Sequence, residues 1–84
     1  MALTNGSLHN VDLHTLLELQ AAHQEDAVVT EAELTVASEL YRSGKTNTRE
    51  ARKTVEALVT RKLTIREDLN TLALLIHQRR AALV

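Results

Sequence analysis

Cysteine, proline and aromatic residues are almost missing from this 84-residue chain: there is no cysteine, no proline, and Tyr41 is the single aromatic residue. Without cysteine the chain cannot rest on a disulfide framework, and without aromatics its core must be built from Leu, Ile, Val and Ala. These side chains suit packing between helices, whereas strands are enriched in aromatic and β-branched residues. The composition therefore predicts an all-α protein.

Glycine is equally scarce, since only Gly6 and Gly44 occur. A chain with so few turn-forming residues is expected to fold into long helices with few loops. We expect residues 1–7 to form a flexible N-terminal lead and residues 8–84 to form a single helical domain. Its arms would span about residues 10–43 and 48–83, with a turn at 44–47, so that the chain makes a helical hairpin.

Residues 48–83 carry the clearest pattern. Apolar residues recur there at alternating steps of four and three, at Ala51, Val55, Leu58, Ile65, Leu69, Leu72, Ile76 and Leu83, and only Lys62 and Arg79 interrupt the row. A 3.5-residue period over about five heptads places an apolar seam along one side of a helix, and this seam has to be buried against another helix. Thr64 and Glu67 have the spacing of a capping box, but the period passes through them without a slip. We therefore predict one long helix.

The first arm is less regular. Asn10 is predicted to cap a helix whose apolar face contains Leu13 and Leu16. The apolar phase is lost at residues 24–26, which predicts a break or kink. Thr30 and Glu33 have the spacing of a capping box, and we expect them to start a second helix.

Gly44 is predicted to end the first arm, because glycine readily takes the left-handed conformation that follows a helix. Asn47 and Glu50 form a further capping box that would start the next helix immediately. A turn of a few residues makes the two arms antiparallel neighbours.

The net charge of −1 conceals a division of the chain. Residues 1–41 contain seven acidic residues and no Lys or Arg, whereas residues 42–84 contain ten basic and four acidic residues. Folding back at the turn would lay an acidic arm along a basic arm. Head-to-tail stacking of several molecules would satisfy the same charges between chains.

The end of the long helix is apolar on more than one face, which one neighbouring helix cannot cover. We predict that this surplus makes a protein-interaction surface, formed by Leu69, Leu72, Leu74, Leu75 and Ile76. An 84-residue chain is near the lower limit for a single core, so the fold would be completed by self-association or by a partner. The predicted function is a non-enzymatic protein–protein interaction module that acts as a subunit, adaptor or inhibitor in a larger assembly.

DNA binding is the alternative. Two helices joined by a turn, with Arg49, Arg52 and Lys53 at the start of the second, have the order of a helix-turn-helix motif. Against this, a nucleic-acid-binding protein usually carries excess positive charge. Pairing of basic residues in the second arm with Glu31, Glu33 and Glu39 across the hairpin is the simpler interpretation.

Other kinds of site find little support in the sequence. The segment from Ser43 to Thr46 resembles the end of a phosphate-binding loop, but the motif needs a glycine where this chain has Glu39. His14, Glu18 and His77 lack a recognised metal-binding spacing. We therefore predict no catalytic residue, metal, cofactor or small-molecule substrate. No apolar run is long enough for a membrane span, and the expected location is the cytoplasm.

Overall fold

The computed structural model describes Leu8, residues 10–44 and residues 47–83. Two α-helices make up almost all of this part of the chain: α1 is Leu13–Ser43 and α2 is Thr48–Ala82. They lie side by side and antiparallel, in a molecule that measures 56 × 19 × 14 Å. The predicted all-α helical hairpin is confirmed. The predicted lead at residues 1–7 lies outside the described residues.

The turn forms where the sequence predicts it. Gly44 follows the last residue of α1 with a φ of 67°, a left-handed conformation that a side chain disfavours. Asn47 then caps α2, since its side-chain oxygen accepts a hydrogen bond from the backbone N–H of Arg49 at 3.0 Å. Glu50 lies in the first turn, where a carboxylate stabilises the positive end of the helix dipole.

The start of α1 differs from the prediction. Asp12, and not Asn10, is the capping residue: its Oδ1 accepts a hydrogen bond from the backbone N–H of Thr15 at 2.8 Å. Because Val11 N–H also donates to the Leu8 carbonyl, the chain makes a turn before α1 begins. This turn brings Leu8 onto the helices, where it is buried.

The predicted break in the first arm is wrong, because α1 runs without interruption from Leu13 to Ser43. Thr30 does not cap a helix but is fully buried within α1. The heptad period of the inner face in fact continues through this region, but polar residues, His23 and Thr30, occupy two of its positions. With no Gly or Pro between its ends, α1 has no residue that would stop it. The prediction that α2 is a single helix through Thr64 is confirmed.

The hydrophobic core is concentrated where the start of α1 meets the end of α2, opposite the turn. There Leu8, Leu16, Leu72, Leu75 and Ile76 form one buried cluster. We call residues 8–27 and 65–83 the open half of the hairpin, and residues 28–64 the turn half. Among the described residues of the turn half, only Thr30 and Ala37 are buried. The core therefore stabilises one end of the hairpin far more than the other.

Candidate protein-interaction surface

The five residues predicted to contact a partner lie in the open half. Leu72, Leu75 and Ile76 are buried in the hairpin's own core, and Leu69 is half-buried beside them. Leu74 is 49% exposed and lies on the outside of α2. Contact of these five residues with a partner stays a prediction, but the structure uses three of them to hold α1 and α2 together.

Leu8 is the residue that the sequence prediction missed. The sequence predicts that a neighbouring molecule covers the surplus apolar surface of α2, and this stays a prediction. Within the chain, the turn before α1 places Leu8 against part of that surface, and Val11 packs against the same cluster. A single apolar residue in a polar segment gives no periodic signal, so the sequence pattern could not reveal it.

Most of the exposed apolar surface lies in the turn half. Nine large apolar side chains of the described residues are exposed, and seven of them belong to this half: Val28, Val29, Val36, Leu40, Tyr41, Val59 and Leu63. Val28 is 71% exposed, Val36 58% and Leu63 53%. Scattered single apolar residues are normal on a protein surface, but here they are concentrated in the half that has little core of its own.

An open apolar groove runs between the helices of the turn half. Val36 and Leu40 of α1 form one wall, and Thr54 and Leu58 of α2 form the other. Ala37 lies at the base of the groove, where its small side chain leaves space between the helices. The groove continues toward the turn along Ala51 and Asn47. Such a groove can accept apolar side chains from another protein.

Ion pairs connect the two arms near the middle of the hairpin. Lys62 Nζ lies 2.7 Å from Glu31 Oε1, and Arg61 Nη1 lies 3.9 Å from Glu33 Oε2. The predicted pairing with basic residues of α2 is thus confirmed for Glu31 and Glu33, whereas no ion pair of Glu39 occurs within the described part of the chain. All four side chains are about half exposed, so we expect each pair to contribute less than about 1 kcal/mol. The two pairs are consistent with the antiparallel alignment of the helices but contribute little to its stability.

A more buried polar contact crosses the open half. His23 Nε2 lies 3.6 Å from Asp68 Oδ2, and the Asp68 side chain is only 7% exposed. The other ring nitrogen, Nδ1, lies 2.9 Å from the Leu19 carbonyl oxygen, which fixes the ring against α1. A sliding of one helix along the other would separate His23 from the buried Asp68 carboxylate. This contact therefore favours a single register of the hairpin.

The residues of the DNA-binding alternative lie at the start of α2. Arg49, Arg52 and Lys53 are exposed there, and Arg52 Nε donates to Glu56 Oε1 of the same helix at 3.0 Å. In a helix-turn-helix motif the second helix crosses the first at about 90–120°, so that it can enter the major groove. Here α2 lies alongside α1 over its length, which differs from that arrangement. DNA binding stays the untested alternative to the predicted function.

The histidines and acids do not assemble into a metal site within the described residues. His14 Nε2 lies 3.0 Å from Glu18 Oε1 one turn along α1, where both side chains are exposed. No group of three or more His, Asp or Glu side chains comes close enough to hold a metal ion in residues 10–44 and 47–83. Neither α1 nor α2 contains a stretch apolar enough to cross a membrane.

Comparison of the chain with known protein families, with curated proteins and with solved structures gave no significant match. The functional interpretation therefore depends on the hairpin itself.

Proposed function

We propose that this protein is a non-enzymatic protein–protein interaction module, acting as a subunit, adaptor or inhibitor in a larger assembly. The observation that carries the proposal is the uneven distribution of apolar side chains. The open half buries its own core, whereas the turn half leaves seven large apolar side chains exposed, of which Val36 and Leu40 line an open groove. Burial of such a surface against another protein would be favourable at about 25 cal/mol per Å² of apolar area. The predicted cytoplasmic location is part of this proposal.

The length of the helices supports the same proposal. A hairpin 56 Å long and 14 Å thick has a large surface for its volume, and one helix pair can bury only one face of each helix. Helices that are apolar outside their mutual contact are typical of proteins that associate further.

Site-specific photocrosslinking tests the proposal directly. A photoreactive residue in place of Val36, which is exposed in the turn half, should crosslink to protein in cells that express the chain. The matched control is the same residue in place of Gln78, which is exposed in the open half. Protein crosslinks from position 36 but not from position 78 are expected. Absence of protein crosslinks from position 36, or equal crosslinking from both positions, would overturn the proposal.

Salt dependence separates this function from DNA binding. A protein that binds phosphates through Arg49, Arg52 and Lys53 releases counterions, so its affinity for duplex DNA falls steeply with salt. We expect no binding to duplex tighter than about 10⁻⁴ M at physiological salt, the weak end of non-specific binding. Micromolar and sequence-selective binding, abolished by changing all three bases to Gln, would favour the DNA-binding alternative.

A further inference from the structure

The outer surfaces of the two helices carry opposite charges at matching positions. On α1, Glu25 and Glu39 are exposed and fourteen residues apart. On α2, Arg52 and Arg66 are exposed and also fourteen residues apart. This separation corresponds to about 21 Å along a helix, and two heptads return a side chain to the same face. Within the described part of the chain, no ion pair involves Glu25, Glu39 or Arg66.

Exposed apolar or small residues lie between the charges on both helices. On α1, Val28 and Ala32 lie between the two glutamates, and we call these four residues the acidic face. On α2, Val59 and Leu63 lie between the two arginines, and we call these four the basic face. Each face thus has an apolar centre with a charge at either end, which is the composition expected of a helix-packing surface.

All four residues of the two faces match in only one direction. From Glu25, the acidic face advances by three, four and seven residues. From Arg66, the basic face recedes by the same steps. Antiparallel helices therefore pair Glu25 with Arg66 and Glu39 with Arg52, and they bring Val28 opposite Leu63. In a parallel arrangement the charges would still match, but Val28 would not meet Leu63.

We propose that a second copy of this chain packs its acidic face, antiparallel, on the basic face of the first. This inference rests on the proposed function, since it names the partner as another copy. The two faces lie on different helices and are not alike, so the contact is head-to-tail and leaves one free face at each end of a dimer. Further copies add in the same way, until a ring closes or an open array forms. The charges match the acidic face of one copy to the basic face of the next, and the apolar centre contributes buried area and favours the antiparallel direction.

Reversal of the charges on one face at a time tests this contact. The variant E25R/E39R has a reversed acidic face, and R52E/R66E has a reversed basic face. Each alone brings like charges together, so we expect its self-association, measured by sedimentation velocity over a range of concentrations, to be about tenfold weaker or more. Mixed together, the two variants again offer opposite charges at every contact and should associate as the wild type does.

The chain offers a matched control and a second restoring variant. D26R changes the net charge by the same amount as the single variant E25R, but on another side of α1, and should associate as the wild type does, whereas E25R should associate more weakly. The four-fold variant E25R/E39R/R52E/R66E carries exchanged faces and should associate again. Circular dichroism establishes that each variant is folded, and restoration by mixing distinguishes a lost contact from a lost fold.

Cysteine crosslinking tests the direction of the contact, because the chain has no cysteine of its own. A mixture of the single variants V28C and L63C should form a disulfide between the two different chains under mild oxidation. Ala21 lies one heptad before Val28 and is exposed, so A21C mixed with L63C is the control and should form much less.

Several results would overturn this inference. A wild-type protein that stays monomeric at all concentrations would do so, as would association that the charge reversals leave unchanged or that mixing does not restore. Equal crosslinking by V28C and A21C would reject the antiparallel pairing. Any of these results together with protein crosslinks from position 36 in cells would leave the proposed function standing with a different partner. Any of these results together with an absence of protein crosslinks from position 36 would reject the proposed function as well.

Discussion

The two halves of this hairpin are built from the same pair of helices but differ in what they bury. In the open half, Leu16 and Leu72 are fully buried, and Leu8, from the turn before α1, belongs to the same buried cluster. In the turn half, the small residue Ala37 takes the place of such leucines, and larger residues such as Val36 and Leu40 lie outside. A regular heptad pattern therefore does not ensure an evenly packed hairpin, because the facing residues must also fill the space.

The seam of α2 permits the most direct comparison of the halves. Leu58 and Leu72 occupy equivalent heptad positions, but Leu72 is fully buried and Leu58 only partly. We expect Leu72→Ala to lower the free energy of unfolding by about 2–5 kcal/mol, as for other buried leucines, and Leu58→Ala to cost less than about half as much. Urea unfolding at low protein concentration measures both. Equal losses would mean that the two halves are packed equally well.

Thr30 lies near the boundary of the halves and offers a stabilising change. Its Oγ1 is buried and has no hydrogen-bond partner within the described part of the chain. Thr30→Val keeps the shape and removes the hydroxyl, so we expect a gain of about 1–2 kcal/mol in unfolding free energy. Thr35→Val is the control, since the Thr35 hydroxyl is exposed and donates to the Glu31 carbonyl. A loss of stability in Thr30→Val would show that the hydroxyl contributes to the native state.

The turn residue Gly44 should have a smaller effect. Its φ of 67° is unfavourable for a side chain, although an added Cβ would meet no other atom within 4 Å. Gly44→Ala should therefore cost about 1 kcal/mol, all of it from backbone conformation. Gly44→Asn should cost less, because asparagine tolerates this conformation better. Thermal melts of the two variants check this order, and a neutral Gly44→Ala would contradict it.

The cap of α1 gives the smallest expected effect and one that depends on pH. The hydrogen bond from the Thr15 backbone N–H lowers the pKa of Asp12 below its ordinary value. The charged form is therefore favoured by folding, so its contribution is present above the pKa of the unfolded chain and is lost as pH falls through the pKa of the folded chain.

Asp12→Ala should melt slightly below the wild type at pH 7, and the difference should shrink as the pH falls below the ordinary Asp pKa of about 3.9 and through the lower pKa of the folded chain. Asp12→Asn keeps a capping side chain without a charge, so its melting temperature should stay closer to that of the wild type at neutral pH. A difference between wild type and Asp12→Ala that persists unchanged in acid would exclude the carboxylate as its source.

The sequence predicted the parts of the fold that depend on local signals. Gly44 and Asn47 mark the turn through their own conformational and hydrogen-bonding preferences, and the heptad row of α2 predicts a single helix. The sequence-based prediction failed at Thr30. Thr30 and Glu33 have the spacing of a capping box, but Thr30 is buried on the inner face of α1. Nor could it show that Leu8 would fold back on α2, since that contact joins residues far apart in the chain.

The candidate site was harder to predict, for a related reason. Periodicity identifies the apolar residues of a helix, but it does not say which of them a partner within the same chain will cover. Neither Leu75 nor Leu63 belongs to the heptad row of α2, but Leu75 is covered and Leu63 is not, and only the three-dimensional arrangement distinguishes them. The division of charge between the arms was visible in the sequence, and two of its ion pairs occur across the hairpin.

Hydrogen exchange of backbone amides, measured by mass spectrometry at low and high protein concentration, tests the central claim most directly. That claim is that the open half is complete and the turn half needs a neighbour. At low concentration, peptides around Leu16 and Leu72 should exchange slowly and peptides from residues 28–44 and 47–64 should exchange faster. At high concentration, the turn half should gain protection while the open half stays as it was. Equal protection of both halves at low concentration, or a gain confined to the open half, would contradict the account.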